Sequence, residues 1–145
     1  SHILPYKTDA GSGALEQMVL ADFCPEHYEN HVTALTQHLA QKCDIMCAAL
    51  DRYFGASADY TRPKGGIFVW VTMPDHVDSM KLATVAGAEG ISINPGPDWS
   101  IAPEAPHQFR LCFGYPDAAI IEEGVMRLAK ICQKEFGVPL AIDNT

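Results

Sequence analysis

"HQFRLCFGYP", residues 107–116, ties the fold to the chemistry. Read as a strand, it sends successive side chains to opposite faces, so Phe109, Leu111 and Phe113 share one face and Gln108, Arg110 and Cys112 the other. The first is a core face. The second sets a guanidinium in a segment too apolar for a surface edge, where an unpaired charge is costly. Arg110 therefore calls for a partner. Spacing alone leaves two open: an internal ion pair with one of the eighteen acids of the chain, or an external carboxylate held bidentately, a task for which arginine is better shaped than lysine.

Working outward, "IFVWVTM" (67–73) is apolar on both faces and predicts a central strand covered on two sides. "DYTRPKGG" (59–66) predicts a short strand and a turn, "ISIN" (91–94) another short strand, and "PGPDWS" (95–100) a turn-rich loop. Asp78 is placed to cap a helix running through Glu89 and stopping at Gly90. Asp117 is placed to cap a last helix with Ile121, Val125, Leu128 and Cys132 on one face. Its acids Glu122 and Glu123 come early, its bases Lys130 and Lys134 late, and Gly137 and Pro139 end it.

The first third reads differently. Residues 1–13 form an irregular lead-in, and "ALEQMVLADF" (14–23) a short helix. Pro25 then stands where a first helical residue is tolerated, so a second helix is expected from there. In it Tyr28, Val32, Leu35, Leu39, Cys43, Met46, Leu50 and Tyr53 recur at spacings of three and four. About 28 helical residues span roughly 42 Å, against a radius of gyration of about 15 Å for a compact chain of this length. Such a helix is expected to extend past its own domain and offer a surface to another element. The predicted fold class is thus α/β in the α+β sense: a small sheet of about four strands with helices packed on it, preceded by a long helix. Two segments are expected, 1–25 as lead-in and short helix, and 26–145 as one domain that includes the long helix 26–54.

The chain has 145 residues, 48 % of them hydrophobic and 19 % charged, a globular composition. Its net charge is −8, with no basic run, so the electrostatic driving force for nucleic-acid or anionic-membrane binding is missing. Cys24, Cys43, Cys47, Cys112 and Cys132 form no CxxC pair, which points to reduced thiols and a cytoplasmic location. No apolar run reaches membrane-spanning length. The chain opens at Ser1, as expected of a processed chain, of one carrying a Ser1-His2 scar, or of the back half of a longer one.

Other motifs have ordinary readings beside functional ones. "PKGG" (63–66) lets backbone approach a ligand or simply makes a tight turn. "NPGPDW" (94–99) is a ligand-facing loop or a connector. His27 with His31, and Cys43 with Cys47, have the i, i+4 spacing of metal ligands, but a site needs three or four convergent groups; solvated histidines and core thiols are the expectation, with no metal. "GSG" (11–13) lacks the lysine and hydroxyl residue of a phosphate loop. No GxSxG is present. From its residues alone the chain offers Arg110 as a candidate carboxylate receptor, with the internal ion pair still open beside it, and no catalytic machinery.

"PKGGIFVWVTMP", "AEGISINPGPDW", "FRLCFGYP" and "IEEGVMRLAKIC" together resemble the closing third of class I/II aminotransferases, pyridoxal-phosphate enzymes of fold type I. The likeness is to the branch with 2-aminoadipate-type aminotransferases and the aminotransferase-like half of GntR-type transcription regulators. "GSGALEQMVLADF" resembles the segment that follows the cofactor-binding lysine, and helix 26–54 the one leading into the small C-terminal domain. The resemblance implies that Arg110 binds the substrate α-carboxylate. Gly65 and Gly66 match the paired glycines before the family's "F-x-W" strand, and Pro95 and Gly96 its "P-G-x-x-F" loop, with Trp99 where phenylalanine is usual. Arg110, Gly66 and Trp99 are therefore the expected substrate-binding residues.

None of the six lysines (7, 42, 64, 81, 130, 134) stands in the family's "S-x-S-K" context. The resemblance implies that the Schiff-base lysine and the rest of the pyridoxal-phosphate site belong to a large domain, so this chain alone is expected to be inactive. The implied whole protein is a homodimeric transaminase of amino-acid metabolism acting on an amino acid and a 2-oxo acid. Two alternatives stay open: the effector domain of a GntR-type regulator that binds pyridoxal phosphate, and a free-standing carboxylate-binding module.

Overall fold

The structure is a computed structural model and describes residues 13–141. The expected lead-in over 1–12, with Lys7 and most of "GSG", lies outside the described residues. Three helices and four strands follow in the order α1 (Ala14–Tyr53), β1 (Asp59–Tyr60), β2 (Phe68–Thr72), α2 (Ser79–Ala88), β3 (Asn94–Pro95), β4 (Gln108–Cys112) and α3 (Ala118–Phe136). The strands form one antiparallel sheet in the order β1-β2-β4-β3. This is the expected α/β architecture: a small sheet with helices, preceded by a long helix.

The helix break expected at Pro25 does not occur. Pro25 lies inside α1, which runs unbroken for 40 residues. Proline removes one backbone donor and crowds the preceding turn, a penalty of roughly 3 kcal/mol that the turns on either side outweigh here.

The chain divides into two compact units, one through Gln37 and one from His38. In the first, Leu15, Met18, Val19 and Phe23 are exposed at helical spacings of three and four. The Phe23 ring lies 5.0 Å from that of His27 and 5.7 Å from that of His31. In the second unit, α1 buries Cys43, Met46, Cys47, Leu50 and Tyr53, the C-terminal half of the stripe read from the sequence. They share one core with Val69, Val71, Phe109 and Leu111 of the sheet, Leu82 and Ala86 of α2, and Ile121, Val125, Leu128 and Cys132 of α3.

The strand over 67–73 departs from its expected double burial. Val69, Val71 and Met73 are buried, whereas Phe68, Trp70 and Thr72 are only half-buried. Its apolar content is thus divided between a core face and a half-buried face that looks away from the core. "ISIN" also contributes less strand than expected. Only Asn94 and Pro95 pair, and Pro95, with no N–H to give, suits this edge position.

Helix ends follow local chemistry. Asp78 Oδ1 accepts from the N–H groups of Met80 (2.8 Å) and Lys81 (3.0 Å), a side-chain cap. Asp117 holds the N-cap position of α3 but makes no capping bond. Gly137, at φ 70°, closes α3 in the left-handed conformation, donating to the Gln133 carbonyl at 2.9 Å while Val138 donates to that of Cys132 at 3.3 Å.

Candidate functional site

Arg110 sits in the middle of β4, flanked directly by Trp70 of β2 and Asn94 of β3. Phe68, which pairs with Cys112, is its diagonal neighbour on the same face. The Arg110 Cζ lies 3.9 Å from the centroid of the Phe68 ring and 3.4 Å from that of Trp99. Both contacts are of the cation–π kind, in which the negative face of a ring meets the delocalised charge.

Trp99 reaches this position from a loop that folds back tightly. The short 3-10 helix Gly96–Asp98 packs against the strand and the next 3-10 turn, Ala105–His107. A Cβ on Gly96 would collide with the Ala105 carbonyl oxygen and stand 2.8 Å from that of Gln108. Glycine is therefore required here for close approach.

Arg110 makes no hydrogen bond or ion pair with any described residue, and its Nε is buried with no acceptor. Its neighbour Gln108 is engaged elsewhere, donating to Thr72 Oγ1 at 3.0 Å. The ion pairs that do form go to other cations: Arg52 with Glu122 at 2.8 Å, and Arg62 with Asp44. The internal ion pair left open by the sequence is thus absent among the described residues. Positive charge here is held by two π faces and by no carboxylate.

Of the other expected site residues, Trp99 is brought to Arg110, while Gly66 lies in the bend before β2. Gly66 has φ 79°, a left-handed backbone, and an added Cβ would meet nothing within 4 Å. Conformation, not crowding, explains that glycine. Phe68 escaped the sequence reading as a site residue. Its place depends on the register between β2 and β4, and a shift of one residue would turn it to the core.

A groove of about 530 Å³ opens in the second unit next to the strand that carries Arg110, lined by Asn94, Cys112, Ile91, Tyr115, Ile120 and Arg127 among others. Arg110, Phe68 and Trp99 are not among the residues that line it; Arg110 is half-buried between its two aromatic walls. Lys42 is the buried lysine among the described residues, and its Nζ donates to the Gly114 carbonyl at 2.9 Å. Burial pushes the Cys132 thiol up to about 12, and burial with the adjacent Cys43 pushes Cys47 up to about 11. Both stay protonated and unreactive near neutrality. Among the described residues no group of three or more His, Cys, Asp or Glu side chains converges as a metal site, and no helix is long and apolar enough to cross a membrane.

The fold and site define an α/β small domain of the aminotransferase kind. Its relatives and structural neighbours are pyridoxal-phosphate aminotransferases of fold type I, and helix-turn-helix regulators match as well. The 2-aminoadipate transaminase of Thermus thermophilus is 30 % identical over 84 % of this chain and 31 % of its own length. The HTH-type transcriptional regulator YdfD of Bacillus subtilis is 32 % identical over 84 % of this chain and 25 % of its own. Among solved structures, LysN, the α-aminoadipate aminotransferase of Thermus thermophilus complexed with N-(5'-phosphopyridoxyl)-L-leucine, superposes with a TM-score of 0.79 at 28 % identity, covering 90 % of this chain and 34 % of that one. The chain therefore spans a quarter to a third of these proteins. No protein-family model matches it.

Proposed function

We propose that this chain is the C-terminal, substrate-carboxylate-binding domain of a pyridoxal-phosphate aminotransferase that exchanges an amino group between an amino acid and a 2-oxo acid. The observation that carries the reading is Arg110: a guanidinium on a structured strand, walled by aromatic rings and without an acid partner among the described residues. Such a group is poised for an external planar anion. It would bind the α-carboxylate and fix the substrate's orientation, an entropic contribution to rate.

The described residues do not fit a pyridoxal-phosphate site of their own. The buried lysine, Lys42, is committed to a backbone carbonyl, Lys81 lies over the Phe136 ring and Lys134 pairs with Glu135. The cofactor and its lysine are accordingly assigned to a part of the protein outside this chain, and turnover by this chain alone is not expected. The exposed stripe Leu15, Met18, Val19 and Phe23 is the surface assigned to meet that part. A homodimer in the cytoplasm, as in the implied whole enzyme, completes the proposal.

Arg110→Gln in the full-length protein is expected to lower kcat/KM for its amino acid by at least about 100-fold, the worth of a charge-assisted bidentate contact. An unchanged value would remove Arg110 from the site. A second function, the effector domain of a regulator, is favoured by the 32 % identity to an HTH-type regulator. Under it, the same domain binds an amino-acid effector, and the Arg110→Gln protein loses the effector's influence on DNA affinity while any transamination is absent from the start.

A further inference from the structure

The Arg110 guanidinium is bounded on more sides than a carboxylate receptor strictly needs. Two rings whose centroids lie 3.4 and 3.9 Å from one carbon would overlap if they shared a face of the guanidinium. Trp99 and Phe68 therefore cover opposite faces. The side edge is also shut, because Nε is buried. The two terminal nitrogens make no hydrogen bond with described residues, yet they are not among the buried polar atoms left without a partner, so they remain open to solvent. Only the outer end of the fork can receive an anion.

From this geometry we infer that Phe68 and Trp99 are positioning residues, a clamp that fixes the plane of Arg110 and presents its two terminal nitrogens, end-on, as a preformed receptor for a coplanar carboxylate. The inference rests on the carboxylate-binding reading of Arg110 and deepens it. A free arginine side chain samples many rotamers, and holding the fork still removes an ordering cost that binding would otherwise meet. The two walls come from distant parts of the chain. Phe68 is set by strand register, and Trp99 by a loop that only glycine at position 96 allows. Trp99 is itself 55 % exposed, so it contributes little to the core and its substitution should leave the fold intact.

The test uses the 145-residue chain labelled with ¹⁵N, with acetate as the probe, followed through the Arg110 guanidinium resonances. In the wild type, hindered rotation about the Nε–Cζ bond is expected to keep the terminal nitrogens resolved, and acetate to shift them. Trp99→Ala and Phe68→Leu should speed that rotation and weaken acetate by about five- to tenfold, whereas Trp99→Phe should stay within about twofold of wild type. Arg110→Gln should abolish the response. If Arg110→Gln does so while Trp99→Ala and Phe68→Leu match the wild type, the clamp is wrong and the carboxylate reading stands. If Arg110→Gln binds acetate as before, the carboxylate reading itself falls, and the clamp with it. A wild-type chain that shows no acetate response overturns the preformed receptor, leaving the kinetics of full-length Arg110→Gln to judge the underlying reading.

Discussion

At the residue scale, burial explains which groups are chemically available. Cys43, Cys47 and Cys132 are buried while Cys24 and Cys112 are partly exposed, so a thiol reagent should label the latter two first and the other three only on unfolding. Cys132 carries a further consequence. Desolvation raises its pKa from the ordinary 9.0 to about 12, so between those values the folded chain holds a proton that the unfolded chain has released. The stability it contributes is complete below pH 9 and is lost as pH rises toward 12. Urea unfolding midpoints should therefore fall above pH 9, and Cys132→Val should flatten that decline. An equally steep decline in the variant would assign the effect to other raised groups: Cys47, whose window opens at the same pH, and then Tyr60, raised by burial and by its bond to Asp51.

At the element scale, two aspartates with the same sequence role differ in what they do. Asp78 caps α2 with two accepted bonds, so Asp78→Ala should cost about 1 kcal/mol. Asp117 makes no such bond, and Asp117→Ala should cost no more than a few tenths of a kcal/mol from the helix dipole alone. Chemical denaturation of both variants checks the contrast. The helix α1 teaches a related point. Pro25 reads as a helix start because proline is tolerated at a first helical position, yet the helix passes through it. Good helix formers on both sides outweighed a single missing hydrogen bond, a sum over many residues that no local signal states.

At the scale of the whole molecule, α1 joins two environments. From Cys43 onward it packs into the core, whereas Leu15, Met18, Val19 and Leu35 lie exposed in the preceding unit. Helices in proteins owe most of their stability to packing, so amides over 14–37 should exchange at least about 100-fold faster than those over 43–53. Uniform protection along α1 in hydrogen–deuterium exchange would mean that the exposed stripe is already covered, for example by another copy of the chain. The sequence by itself determined the order of elements from residue 59 onward, the core faces of β4 and α3, and the oddity of a guanidinium on an apolar strand. Periodicity and caps are local properties, and they survive whatever the chain packs against. The tertiary structure decided what periodicity cannot carry: that β2 pairs with β4 in the register that sets Phe68 diagonally across from Arg110, that the Gly96 loop lays Trp99 on the other face, and that no described acid reaches the charge. Those facts join residues 68, 99 and 110, and only the folded chain brings positions so far apart within a few ångströms.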